Sequence, residues 1–397
     1  MSENKNVPQI RFKGFTGDWE KRKFNNIVNR VSVQSNSDNL PKVEFEDIVS
    51  GEGILNKDIS SKFDNRKGIA FEPNHILYGK LRPYLKNWLF ADFKGVALGD
   101  FWVFEASESI PIFDYYLIQT AQYQEVANLS TGTKMPRSDW NTVSDTDFFI
   151  PVDIDEQIAI GNFFNTLDTT ITLHKRKLYG LRELKKAYLQ QMFPQAGESV
   201  PRLRFKGFTG EWVQRKFGEV AEIIGGGTPD TTNSDYWDGD VDWYSPIEIG
   251  KEIYAFSSQR KITELGLRRS SAKILPADKT ILFTSRAGIG DMAILKNPAA
   301  TNQGFQSLVV NEDFDVYFAF SMGSKIKEYA LKNASGSTFL EISGKGLSKM
   351  EVYIPTLNEQ TAIGNFFRNL DNQITSQTQK LEHLKKLKSA YLQKMFI

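Results

Sequence analysis

The 397-residue chain contains no cysteine. That excludes disulfides, a thiol nucleophile and cysteine-ligated zinc. Histidine is nearly as scarce. His75, His174 and His383 are the full complement, and their spacing fits no metal-ligand pattern. Metal chemistry would rest on carboxylates alone, and a chain with 48 acidic residues always offers chance pairs. No run approaches the roughly 20 apolar residues of a membrane span. The opening MSENKNVPQIRFKGF lacks the apolar core of a secretion signal, so a cytoplasmic location and no membrane partner are expected. No G-x-x-x-x-G-K-S/T loop occurs, which argues against an ATPase or translocase. Gly225, Gly226 and Gly227 lead into Pro229 and Asp230 where a phosphate-binding helix would have to start, so they read as a turn. Ser285-Arg286-Ala287-Gly288 has no histidine nearby in sequence and is not a nucleophile elbow.

A basic surplus is missing too, since the net charge is only +1. Its distribution is more informative. Residues 25–150 hold 12 basic and 17 acidic side chains, and 218–354 hold 14 and 18. The rest of the chain holds 23 and 13. Any nucleic-acid contact in the two large middle regions must come from local clusters and not from a general field.

What the chain does have is an internal repeat, which decides its architecture. PQIRFKGFTGDWEKRKF at 8–24 returns as PRLRFKGFTGEWVQRKF at 201–217, with 12 of 17 positions identical. The segment from Glu156 to Phe193 returns from Glu359 to Phe396, with 23 of 38 identical. The regions between have little in common. The chain therefore reads as arm, variable domain and helix, repeated once. The expected boundaries are 1–150 for the first arm and domain, 151–197 for the first helix, 198–354 for the second arm and domain, and 355–397 for the second helix.

In the first helix Ile160, Phe164, Leu167, Ile171, His174, Leu178, Leu181, Lys185, Tyr188 and Met192 follow alternating steps of four and three, the period of a coiled-coil seam. The second copy repeats the pattern from Ile363 to Met395, and Leu184 and Leu387 are expected to widen the stripe where lysine interrupts it. Helices of this length would span roughly 57 Å. Nearly identical seams favour pairing with each other, antiparallel about an internal pseudo-two-fold axis. The middles read as mixed α/β. ILYGK, WLFADF, VALGDFWVF and FFIPV read as strands, and FDYYLIQTAQYQEVANL as a helix. KTILFTS, GDMAIL and QSLVV followed by VYFAFSMGSKIKEYALKNA give the same order in the second middle, so the two are expected to share a fold. The fold class is α+β: two mixed α/β domains separated by two long helices pairing as an antiparallel coiled coil.

Catalytic signatures being absent, the candidate site residues are of the kind that contact nucleic acid. In KLRPYLKNW, Lys80, Arg82, Tyr84, Lys86 and Trp88 would share one face of an extended segment. Lys134 and Arg137 follow in the turn-rich STGTKMPRSDW. The second domain offers Thr284 and Arg286, then Asn302 and Gln303, then Ser337 and Lys345 in SGSTFLEISGKG. Arg, Lys, Asn and Gln pair with base edges, while Ser and Thr suit phosphates.

Along essentially its whole length the sequence resembles the specificity subunits of type I restriction–modification systems. The resemblance rests on the duplicated RFKGFTG-x-W arm, the EQ-x-AIGNFF opening of both helices and their LQ-x-MF ends, with GKLRPYLKN, GTKMPRSDW, GGGTPDT, TSRAGIG and TNQGFQSL inside the domains. It implies two target-recognition domains, each reading one half of a bipartite, non-palindromic sequence in double-stranded DNA. It implies helices that set the spacer and dock two methyltransferase (modification) subunits, with ATP-dependent restriction subunits joining through the complex. No cofactor is expected on this chain, because S-adenosylmethionine and adenine methylation would belong to the modification subunits. A single-chain DNA methyltransferase or nuclease would need a cofactor glycine motif and an N/D-P-P-Y/F tetrapeptide, and neither occurs. A coiled-coil adaptor that binds only protein would also fit the helices and the acidic domains, and a gel shift of the assembled complex would separate it from DNA recognition.

Overall fold

The computed structural model describes residues 6–129, 134–336 and 340–397. The chain forms two compact units. One comprises Met1–Arg176 with Gln379–Ile397, and the other comprises Lys177–Thr378.

The first unit is built on a four-stranded antiparallel sheet of β1 (Val28–Val31), β2 (Ile76–Gly79), β3 (Trp88–Phe90) and β4 (Phe101–Ala106), in the order β1-β4-β2-β3. Side chains alternate across a strand, and here both faces are covered. Ile76, Tyr78, Trp102 and Phe104 enter one core, and Leu77, Leu89, Phe101 and Val103 enter another. Burial on both faces explains why the strands read as continuous apolar runs. A second sheet of short strands flanks the first, and the arm strand Glu20–Lys23 pairs antiparallel with Asp147–Ile150.

The second unit repeats the plan. Its sheet contains β5 (Ala221–Gly225), β6 (Tyr254–Ala255), β7 (Thr280–Phe283), β8 (Met292–Leu295) and β9 (Gln306–Val310), in the order β5-β9-β7-β8-β6. The order of the first four matches that of the first unit, and β6 is an addition that pairs in parallel with β8. The arm strand Val213–Lys216 pairs with Glu351–Ile354. The two middles thus share one fold despite their divergent sequences.

Two segments expected as single helices are each broken in two. The first forms Pro111–Leu117 and Ala121–Ala127. Thr120 makes the break, because its hydroxyl donates to the Leu117 carbonyl and caps the next helix by accepting from the Tyr123 N–H. The second forms Val316–Ser321 and Gly323–Asn333, divided at Met322.

The long helices are α1 (Ile154–Gln191) and α2 (Leu357–Met395). In the first unit the early turns of α1 meet the last turns of α2. Phe163 and Tyr391 cross edge-to-face at 5.1 Å, Phe164 lies 6.0 Å from Phe396, and Lys388 pairs with Asp168 at 2.7 Å. Numbers rise on one helix as they fall on the other, so the pairing is antiparallel. The second unit makes the reciprocal contacts: Tyr188 with Phe366 at 4.9 Å, Phe193 with Phe367 at 6.0 Å, and Lys185 with Asp371 at 2.5 Å. The seam lysines are therefore partners of the aspartates in the repeated LD pairs. Tyr116 and Tyr317 hydroxyls donate to the second oxygens of those carboxylates. Leu184 does not widen the stripe as expected. It is exposed, while the half-buried Lys185 beside it pairs with Asp371.

The repeated arms also tie down the start of each long helix. Arg11 makes a two-pronged ion pair with the buried Glu156, at 2.6 and 2.7 Å, and its remaining Nη donates to the Gly17 carbonyl. Arg204, Glu359 and Gly210 reproduce this arrangement. The next residue, Gln157 or Gln360, accepts from a backbone N–H and donates to a proline carbonyl. The near-identical stretches of the two copies thus make the same contacts in both units. No helix among the described residues is long and apolar enough to cross a membrane.

Candidate nucleic-acid interface

In each unit the same three loops are stitched together by backbone hydrogen bonds. In the first, the Lys80 N–H donates to the Asp100 carbonyl at 2.9 Å and the Ser138 N–H donates to the Lys80 carbonyl at 2.8 Å. In the second, the Ser285 N–H donates to the Gly304 carbonyl at 2.8 Å and the Ile342 N–H donates to the Ser285 carbonyl at 3.1 Å. Directly after these bonds, Asp139 caps Trp140–Asp145 and Ser343 caps Gly344–Leu347. The framework is one structure used twice, and it sets Lys80 against Ser285, Asp100 against Gly304 and Ser138 against Ile342. Arg82 (φ 50°) and Ala287 (φ 53°) are correspondingly placed and both lie in the left-handed region. Such backbone costs of order 1–3 kcal/mol for a residue with a Cβ and clusters at functional sites.

The first-unit candidates come together. The Arg82 N–H bonds to the Pro136 carbonyl at 2.7 Å, and Leu81 bridges to Arg137, which draws Lys80, Arg82 and Arg137 to one place, with the exposed Lys134 two residues before Pro136. The segment is not extended, however. Pro83–Leu85 forms a 3-10 turn with Arg82 and Lys86 both left-handed at its ends, because proline fixes φ and the short turn reverses the chain. Tyr84 and Lys86 project from that turn and are exposed. Trp88 does not join them. It starts β3 and is buried in the core. Asp100, which the sequence did not single out, accepts from the Arg137 guanidinium at 3.0 Å and lies 3.8 Å from the Lys80 ammonium.

The second unit brings Arg286, Asn302 and Gln303 together, and gives Thr284 a different role. Thr284 is buried, and its hydroxyl donates to the Gly288 carbonyl at 2.7 Å and accepts from the Asp291 N–H at 2.9 Å. It shapes the loop from within and cannot reach a phosphate. Arg286 is half-buried beside Gly304, Asn302 accepts from the Gly304 N–H at 2.8 Å, and the exposed Gln303 receives the Thr228 hydroxyl. Gly226 and Gly227 belong to this cluster: a Cβ on Gly226 would lie 2.0 Å from the Asn302 carbonyl. The glycine run is thus a close-packing turn, as its sequence suggests. Lys345 is exposed on Gly344–Leu347. Ser337 lies outside the described residues.

Beside the Lys86 turn, a groove of about 580 Å³ separates the loop Ser50–Glu52 from α1 and the end of α2. Lys175 and Lys388 in its wall are paired with Glu52 and Asp168, whereas Lys86 and Lys385 have no carboxylate partner among the described residues. A groove with uncompensated ammonium groups suits an anion such as a phosphate. Among the described residues no group of three or more acidic or histidine side chains is arranged to hold a metal ion.

The same scaffold is used twice, with polar and basic side chains on corresponding loops. Residues 209–386 match the family described as the type I restriction modification DNA specificity domain. The MjaIX type I restriction enzyme specificity subunit of Methanocaldococcus jannaschii is 34% identical over 192 residues, 47% of this chain and 44% of that protein. The chain thus spans under half the length of this relative. The HindI specificity subunit of Haemophilus influenzae is 20% identical, with 90% of this chain and 95% of that protein covered. Among solved structures, the type I restriction–modification S subunit from M. genitalium superposes with a TM-score of 0.66 at 16% identity, covering 98% and 99% of the two chains, and so shares the fold. Residues 209–386 are thus similar to a type I restriction modification DNA specificity domain, and the chain as a whole shares the fold of a type I S subunit.

Proposed function

We propose that this chain is the DNA-recognition subunit of a type I restriction–modification complex. Each unit reads one half of a bipartite, non-palindromic target in double-stranded DNA, and the chain carries no catalytic site of its own. The observation that carries the reading is the loop framework. Its hydrogen bonds are the same in both units, while the side chains at corresponding positions differ, Lys80 against Ser285 and Asp100 against Gly304. A constant framework with variable tips suits one binding mode and two different sequences. The bases are read by side chains of Lys80, Arg82, Arg137, Arg286, Gln303 and Lys345, and phosphates are met by Tyr84, Lys86 and Lys134. The long helices set the spacer and dock two modification subunits, and the restriction subunits join through them. Modest net charge fits this division, because partner subunits can neutralise phosphates that this chain does not.

The test is genome-wide mapping of methylated adenines in cells that contain the modification subunit, with and without this chain. A bipartite motif that appears only with the chain is the expected result. Methyl transfer by the purified chain alone, or no motif dependent on it, would overturn the reading.

A further inference from the structure

The loop framework places two side chains of opposite hydrogen-bonding character at the same backbone position. Arg137 precedes Ser138, and Glu341 precedes Ile342, and these two residues make corresponding bonds to Lys80 and Ser285. Arg137 is 54% exposed, and only its Nη2 is used, by Asp100. Its Nε and Nη1 have no partner among the described residues, which leaves donors of the fork free. A surface ion pair of this kind adds little to stability, so the effect of Asp100 is to fix the direction of the guanidinium. In the second unit the aspartate is replaced by Gly304, and Glu341 stands in place of the arginine. Its carboxylate lies 3.5 Å from the Ser285 hydroxyl and has no cationic partner among the described residues. One unit therefore offers a buttressed donor where the other offers an acceptor.

We propose that Arg137 and Glu341 are corresponding specificity-determining residues. Arg137 reads the O6/N7 acceptor edge of a guanine in one half-site. Glu341 reads an exocyclic amino donor, cytosine N4 or adenine N6, in the other. Asp100 is a positioning residue for Arg137. The proposal rests on the DNA-recognition reading above and assigns the hydrogen-bond polarity of one position in each half-site. The chemistry follows from the base edges, because arginine forks match guanine and carboxylates accept from amino groups in the major groove.

The full chain would be co-expressed with its modification partner, and the methylated motif mapped for the wild type and for Arg137→Gln, Arg137→Lys, Asp100→Asn and Glu341→Gln. Arg137→Gln should relax one G·C position of one half-site, with discrimination there falling roughly ten- to hundred-fold and the other half unchanged. Arg137→Lys should not restore it, because a lysine keeps the charge but loses the fork. Asp100→Asn should relax the same position to a smaller degree. Glu341→Gln should relax one position of the other half-site. Co-purification with the partner and an unchanged melting temperature check that each variant is folded, and Arg137→Lys and Asp100→Asn serve where a glutamine variant does not assemble. A uniform fall in methylation at every site, rescued by lysine, would make Arg137 a phosphate contact and overturn the assignment while leaving DNA recognition intact. A wild-type complex with no bipartite motif would instead remove the recognition reading itself.

Discussion

Phe396 is the penultimate residue of the chain, yet it is buried 5.3 Å from Phe113, 6.0 Å from Phe164 and 6.3 Å from Trp19 in the core of the first unit. Phe193 holds the corresponding place in the second unit, 5.2 Å from Phe318 and 6.3 Å from Trp212. Each unit is thus completed by the end of the helix that follows the other variable domain. Replacing Phe396 with alanine removes a fully packed ring, which costs about 3–5 kcal/mol including the cavity left behind. Three ring contacts at these distances place it in the upper part of that range, since each aromatic pair adds about 0.5–1.5 kcal/mol beyond area burial. Every 1.4 kcal/mol is a factor of about ten, so the open population of the first unit should rise by roughly a thousand-fold. Hydrogen–deuterium exchange followed by mass spectrometry on the full chain reads this directly. Peptides from 76–127 should lose protection, and those from 280–330 should keep theirs. Phe193→Ala should do the reverse. Equal loss in both units, or loss in the unit not containing the substituted ring, would refute this account of which helix end completes which core.

Lys86→Ala should weaken DNA binding by the assembled complex uniformly across sequences and lower the salt-dependence slope by about one, as measured by fluorescence anisotropy between 50 and 200 mM salt. An altered sequence preference would contradict a phosphate role. Thr284→Val keeps the shape but strands the Gly288 carbonyl and the Asp291 N–H, at a cost of roughly 2–4 kcal/mol, so urea unfolding of the second unit should move to lower midpoint and the motif should degrade in one half only. Burial pushes the Asp114 carboxyl well above the usual carboxylate range, with the Ser109 hydroxyl opposing. A group with a raised folded pKa contributes stability that is present below its unfolded value near 4 and is lost as pH rises. Asp114→Asn should therefore gain melting temperature relative to the wild type as pH rises from 4 to 8, and a pH-independent difference would show that the carboxyl is charged in the fold.

The sequence by itself determined the duplication, the class of elements and the spacing of the seam. These are local properties: a period of two or of alternating four and three can be read within a short window, and repeated blocks reveal themselves by identity. It also determined that Lys80, Arg82, Lys134 and Arg137 are available, and that the helix ends are alike. Only the tertiary structure decided what each of these residues does. The break at Thr120 depends on a side chain competing with the helix for its own backbone. Trp88 is buried and Lys86 exposed because Pro83–Leu85 turns the chain where alternation would have kept both on one face. Thr284 is withdrawn from the surface by bonds to residues four and seven positions away. Asp100 meets Arg137 across 37 residues, and Lys388 meets Asp168 across 220, separations at which no pattern of spacing carries information. The correspondence of Arg137 with Glu341 lies further still from the sequence, since the residues share neither type nor context. It exists because the same backbone hydrogen bonds form in both units, and backbone bonds are made by every sequence that adopts the fold.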